Sequence, residues 1–404
     1  MSTRRLPDWL DSYMELTDNT EPTKLLRKWA GVSAIAAVLK RKCFFQWADA
    51  IYPNFYIVLV GNPGMSRKGS AVDKISKLLR RLNIRLAAER ITNEALIQEL
   101  EECKDMLVDQ TNVGVAKPNF HCSLTVLSGE LAVFLGYNNP QFLSDLCDLY
   151  DCKDRWTYRT KNKNTNYLSG VWLNLIGCTT PKLLRKLLAD EVSSSASTAA
   201  VGGGLASRVI FVYAAGRGKR VAIPIPTVAE LQLFETLLHD LDLIGNLRGR
   251  FVADESWVDL YVPWYEEQDN HPLLKHEQLQ HYIARRQIHL IKLCMVLSAS
   301  RSDGMVLQAV DFVRASKLLA ETEELMPKVY EHVGQNTKAS ILASVQKTIA
   351  AKGNIELGEL IRLYLDDADK NDMQKILATL EAMHYIKIEY KQTGQVILHY
   401  NERQ

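Results

Sequence analysis

Three kinds of hydrophobic pattern alternate along the chain. Residues 55–60 form an unbroken β-branched and aromatic run, the signature of a strand buried on both faces. Similar runs at 121–127, 171–176 and 209–213 predict three more core strands, and 44–47 a short one preceding them. Between them the period lengthens to that of a helix. Leu25, Leu26, Trp29, Val32, Ile35 and Leu39 align on one face over 22–42, and Val72, Ile75, Leu78 and Leu79 from Ala71 to about 82. Thr92 opens a third helix, expected over 92–106, as a hydroxyl cap. Residues 1–22 are polar and read as an arm. Residues 221–335 read as almost wholly helical, with His289 on a helix surface. After 337 the pattern becomes three helices (337–351, 356–364, 370–383) and a strand pair (385–390, 396–400), the outline of a winged helix. Its middle helices are acidic, leaving DNA binding and protein docking both open.

Strands alternating with helices make the fold class α/β, and 404 residues exceed a single core. The expected division is an arm and helix (1–45), a core (46–220), a helical lid (221–335) and a terminal domain (336–404). Composition excludes little: 47% hydrophobic, 24% charged and net +2 describe an ordinary globular chain, so any basic surface must be local. The seven cysteines are scattered, and Cys147 and Cys152 lack zinc-ligand spacing. Reduced cysteines and the absence of a leader or a spanning apolar run predict a cytoplasmic protein without membrane contact.

Candidate chemistry starts where the first core strand stops. Gly61-Asn62-Pro63-Gly64-Met65-Ser66-Arg67-Lys68-Gly69-Ser70 joins strand to helix. Strand, glycine loop, basic residue, hydroxyl and helix wrap backbone N–H groups around a triphosphate and aim a helix N-terminus at it. Gly61, Pro63, Gly64, Ser66, Arg67, Lys68, Gly69 and Ser70 are therefore the candidate ATP-binding residues, with Lys68 on the outer phosphates and Ser70 on Mg²⁺. The spacing departs from the usual loop, because Arg67 stands before the lysine and Gly69 after it. Either the loop is one residue longer or Arg67 shares the lysine's role.

The strand at 121–127 ends in Ser128-Gly129-Glu130, and a carboxylate there suits metal binding and orientation of an attacking water. Glycine stands where a second acid would be expected, so Asp148 or Asp151 is a possible helper. Residues 155–168 alternate like a hairpin, with Lys161 and Lys163 at its tip as candidate DNA contacts. Thr180, at the end of the next core strand, is placed to sense the γ-phosphate. Arg208 precedes the last core strand after a glycine-rich loop, and Arg285 and Arg286 interrupt an apolar helix.

Taken in order, these features resemble AAA+ ATPases of the pre-sensor-hairpin group, which includes minichromosome maintenance and superfamily 3 helicases. The wording Tyr-Pro-Asn-Phe-Tyr, Arg-Lys-Gly-Ser, Ser-Gly-Glu-Leu and Gly-Gly-Leu-Ala-Ser-Arg is more closely similar to the primase–helicase-type ATPases of bacteriophages and mobile elements. The resemblance covers about residues 20–330. It implies a P-loop core of parallel strands with a helical lid, and an ATP- and Mg²⁺-dependent ring, hexameric by analogy, driving single-stranded DNA through its channel in a bacterial host. In such a ring Arg208 would act on a neighbour's nucleotide, with Arg285 or Arg286 as a sensor in the same subunit. No primase signature is present. A loader or scaffold that binds DNA or a partner without unwinding is the alternative.

Overall fold

The apolar run before the glycine loop becomes the penultimate strand of a five-stranded sheet. The computed structural model describes residues 3–107, 119–136, 139–159, 165–184, 204–330, 337–364, 370–391 and 395–401. The chain divides into two compact units, Met1–Tyr330 and Glu331–Gln404. The segments expected as arm and core lie within the first, as does the expected lid up to residue 330.

Strands of the first unit are, in chain order, β1 (Cys43–Gln46), β2 (Ala50–Ile51), β3 (Tyr56–Gly61), β4 (Lys104–Leu107), β5 (Asn119–Ser128), β6 (Arg155–Tyr158), β7 (Asn166–Ser169), β8 (Val171–Thr179), β9 (Val209–Ala214), β10 (Gly249–Ala253) and β11 (Val306–Leu307). The main sheet has the order β4-β5-β8-β3-β9. β5, β8, β3 and β9 run parallel and β4 is antiparallel to β5. Every residue of β3 and β8 is buried, as a parallel sheet covered on both faces requires. The helix Lys24–Leu39, capped by the Thr23 hydroxyl, packs on β8 and β9 and is buried almost throughout.

Three expectations are corrected. The amino-terminal stretch is not an arm. Trp9, Leu10, Tyr13 and Leu16 of the helix Trp9–Leu16 are buried against the helices Lys24–Leu39 and Val228–Gly245. Those four apolar side chains bury one stripe of a short helix, which the surrounding polar residues masked. The helix capped by Thr92 stops at Glu102, and Met106 belongs to β4 instead. Residues 221–330, expected to be almost wholly helical, also contain strands: β10 pairs in parallel with β1 and β11, completing a second sheet of order β11-β10-β1-β2. Five residues are too few to display period two against the helices around them.

The second unit packs the helices Thr337–Lys352, Leu357–Leu363 and Lys370–Ala382 on a three-stranded sheet. Its strands are β12 (Asn354–Glu356), β13 (Ile386–Tyr390) and β14 (Val396–Tyr400), in the order β12-β14-β13. Val345, Ile349, Leu360, Ile376, Leu380, Ile386 and Leu398 form its core. Among the described residues no helix is long and apolar enough to cross a membrane.

Candidate functional site: a glycine loop at the carboxyl ends of parallel strands

β3 delivers the chain into its loop at Gly61. A Cβ there would lie 2.6 Å from Ser66 Oγ and 2.7 Å from the Ala214 carbonyl, so only glycine lets the loop fold back this tightly. Gly64 takes a positive φ of 68°, which completes the reversal. Ser66 is fully buried under the loop and donates to the Asn62 carbonyl at 3.1 Å. Arg67 adopts the left-handed conformation, and the helix Lys68–Arg81 starts at the next residue. The first amides of a helix lack the usual acceptors four residues earlier, and here the Ser70 amide is met by the Arg67 carbonyl at 3.1 Å.

The two adjacent cations diverge. Lys68 Nζ turns inward, 2.7 Å from the Gly61 carbonyl and 3.3 Å from Ser66 Oγ. Burial lowers its pKa, while Cys178 and Glu130 act in the opposite direction. Arg67 turns outward, its Nε donating to Glu21 at 2.6 Å, and Arg217 reaches the same carboxylate at 3.5 Å. Lys68 is thus the cation held inside the loop. Ser70 is exposed in the first helical turn, and Gly69 has open space where a side chain would stand.

Register brings the next groups alongside. β8 lies between β3 and β5, with Val60 opposite Thr179 and Ser128 opposite Gly177. The loop, Thr179–Thr180 and Glu130 therefore share the carboxyl edge of three neighbouring strands, where open α/β sheets bind ligands. Glu130 precedes the short helix Leu131–Leu135. Its Oε1 and the Thr179 hydroxyl are shielded from solvent and have no hydrogen-bond partner among the described residues. Leaving such atoms unpaired costs about 1–3 kcal/mol each. Thr180 Oγ1 accepts from the Leu183 amide at 3.3 Å, which ties its side chain to the following turn. Between these groups, burial pushes the Cys178 thiol up to about 12 despite the nearby Lys68.

Arg208 is at the other edge. β9 begins opposite Tyr56, and the loop begins at Gly61, opposite Ala214. Five residues of strand separate the two, about 17 Å, beyond the reach of an arginine side chain. Its guanidinium makes a two-point contact with Asp151 at 3.1 and 2.5 Å and donates to the Gly204 carbonyl at 2.8 Å. Arg285 joins the same carboxylate at 3.2 Å. Asp151, considered from the sequence as a metal helper, is therefore an arginine partner. Asp148 is likewise engaged, by Lys153 at 2.8 Å and the Trp156 indole at 3.3 Å. Among the described residues no cluster of three or more histidine, cysteine or acidic side chains could hold a metal ion.

Arg286 has different surroundings from its neighbour. It grips Glu323 at 2.6 and 2.8 Å, donates to Gln268 at 2.8 Å and stacks over Trp264 at 4.5 Å. Burial raises the Glu323 pKa, but hydrogen bonds from His271, Arg286 and Tyr282 outweigh it and hold the group at about 2. We expect Arg286→Ala to cost about 3–5 kcal/mol of stability, measured by urea unfolding of the full chain. Because the carboxyl titrates lower folded than unfolded, its contribution is complete above about 4.5 and fades as pH falls toward 2. The cost of Arg286→Ala should shrink over the same window, and a cost independent of pH would contradict it.

Sequence reading missed a buried polar set nearby. His289, expected on a helix surface, is fully buried. One ring nitrogen lies 3.1 Å from the Ser207 carbonyl, and burial depresses its pKa to about 3, so the ring is neutral. Lys292 is also buried, donating to the Asn54 carbonyl and side chain at 3.0 and 2.7 Å, and burial lowers it to about 7. Two basic residues three apart in an apolar helix were the available signal. They tie the start of β3 and the residue before Arg208 to the helix Arg286–Arg301.

The hairpin forms as β6 paired antiparallel with β7, and Lys161 and Lys163 lie outside the described residues. A scan against models of known protein families finds none that matches the chain, and a search of curated proteins finds no match either.

Proposed function

We propose that this chain is an ATP-driven motor of the AAA+ type, acting on DNA as a ring-forming helicase or translocase in phage or mobile-element replication. One observation carries the reading. An inward-turned lysine at a helix N-terminus lies, across the end of β8, within electrostatic reach of a carboxylate whose shielded oxygen has no partner among the described residues. The residues suit MgATP. Gly61 and Gly64 open the loop, Lys68 supplies the charge, and Ser70 and Glu130 are the oxygen donors a hard cation prefers. Bound Mg²⁺ would neutralise charge on the phosphates. Glu130 has the position to hold a water or accept its proton, and Thr180 to sense the outer phosphate. Arg208, too distant from its own loop, is assigned to the neighbouring subunit. Arg285 or Arg286 remains the assignment for a sensor, and Arg285 is the one with solvent access.

The second unit supports a winged-helix reading, three helices with a β-wing, as a DNA or partner-docking module. The working compartment is the cytoplasm of a bacterial host, and DNA contact by Lys161 and Lys163 belongs to the same proposal. Glu130→Gln tests its centre. The variant should bind ATP normally and hydrolyse it about 10²–10⁴-fold more slowly, by phosphate release. Wild-type turnover would remove Glu130 from the chemistry. The single acid at the end of β5 also suits a slow, nucleotide-switched loader or scaffold. ATPase stimulation and strand separation on single-stranded DNA would favour the motor, and binding without either the loader.

A further inference from the structure

The hairpin has two unlike faces. On the inner one, Leu168 is buried and the rings of Trp156 and Tyr158 stack 5.9 Å apart. Trp156 donates to Asp148 at 3.3 Å, Tyr158 to Glu94 at 3.4 Å and Asn166 to Glu101 at 2.5 Å. These contacts pin the ribbon to the helices Asn93–Glu102 and Pro140–Tyr150. The outer face is therefore presented in a fixed orientation.

That outer face carries one large ring. Tyr167 is 69% exposed and pairs across the ribbon with Thr157. Arg155 lies two residues before Thr157 in β6, and Arg159 two after it, one residue past the strand's end; both are exposed. Diagonal neighbours on a ribbon are about 7–8 Å apart, within reach of long side chains. Neither guanidinium has an ion-pair partner among the described residues, although most arginines near the core do. Residues 155–168 hold four basic side chains and no acidic one.

A lone exposed aromatic needs no explanation. A rigidly mounted ring beside two guanidiniums with no ion-pair partner among the described residues, on an acid-free ribbon, has the chemistry of a nucleobase platform. The ring offers a π-face to any base, and the arginines take the flanking phosphates. A paired base keeps its faces within the duplex, so the ligand class is a single strand.

We propose that Tyr167 is a base-stacking residue for single-stranded nucleic acid, with Arg155 and Arg159 as its phosphate contacts. The proposal rests on the reading of this chain as a nucleic-acid motor and adds a site to it. Binding of a labelled oligothymidine is compared with binding of an abasic strand of equal length and charge, both by fluorescence anisotropy with the full chain. The wild type should prefer the base-bearing strand by about tenfold. Tyr167→Ala should lose that preference while keeping the affinity for the abasic strand, and Tyr167→Phe should retain it. Arg155→Gln combined with Arg159→Gln should weaken both strands alike and lower the salt slope by about 1.4.

Equal affinity of the wild type for both strands overturns the stacking site and leaves the motor reading standing. So does a preference that survives Tyr167→Ala, or a Tyr167→Ala loss that falls equally on the abasic strand, which would fit a protein-contact role. Binding of neither strand brings down both the site and DNA action together.

Discussion

Lys68→Ala should reduce ATP affinity by at least about 100-fold, the loss expected when a charge-assisted contact to phosphate is removed. In the structure the ammonium is held inside the loop by the Gly61 carbonyl and Ser66 hydroxyl, both weaker partners than a triphosphate. Arg67→Ala should leave affinity nearly unchanged, because its guanidinium is turned to Glu21. Calorimetric titration with a non-hydrolysable analogue reads both variants. Lys68 is only half-buried, so folding should survive, and a thermal melt without nucleotide checks this. Wild-type affinity in Lys68→Ala would remove the assignment. A loss confined to Arg67→Ala would move the charge by one residue, through release of Arg67 from Glu21.

Arg208→Ala should cut ATP turnover by about 10³–10⁵-fold, as removal of an arginine acting on a transferring phosphoryl group does. Strand register keeps Arg208 at the edge opposite its own loop, so any such action must be on another subunit. Mixing inactive Arg208→Ala with inactive Lys68→Ala subunits should then restore part of the activity, because some interfaces combine an intact loop with an intact arginine. No recovery at any ratio would make Arg208 a structural partner of Asp151. The two-point contact with Asp151 must open before the guanidinium reaches a neighbour. Asp151→Asn should therefore lower the protein concentration at which turnover is half-maximal, and should do so only when Arg208 is present. Arg285, which shares the carboxylate, keeps Asp151 from being left alone when Arg208 departs.

What the sequence determined by itself was local. β3, β5, β8 and β9 follow from continuous apolar runs, the helix after the loop from its period, and the loop from glycines at the strand end. These signals survive because neighbours within about ten residues create them. The strand order, the second sheet and the buried helix Trp9–Leu16 depend on partners far along the chain. β10 is five ordinary residues until β1, about 200 positions earlier, lies beside it. Charged side chains were the least legible, because a charge's role is set by what the fold brings against it. Arg285 and Arg286 are adjacent in sequence, yet one faces Asp151 at a half-exposed edge and the other is buried on Glu323. Arg67 and Lys68 separate in the same way, since a left-handed residue followed by the start of a helix sends consecutive side chains in different directions. Only the tertiary structure, through strand register and helix packing, decided which of each pair faces which partner.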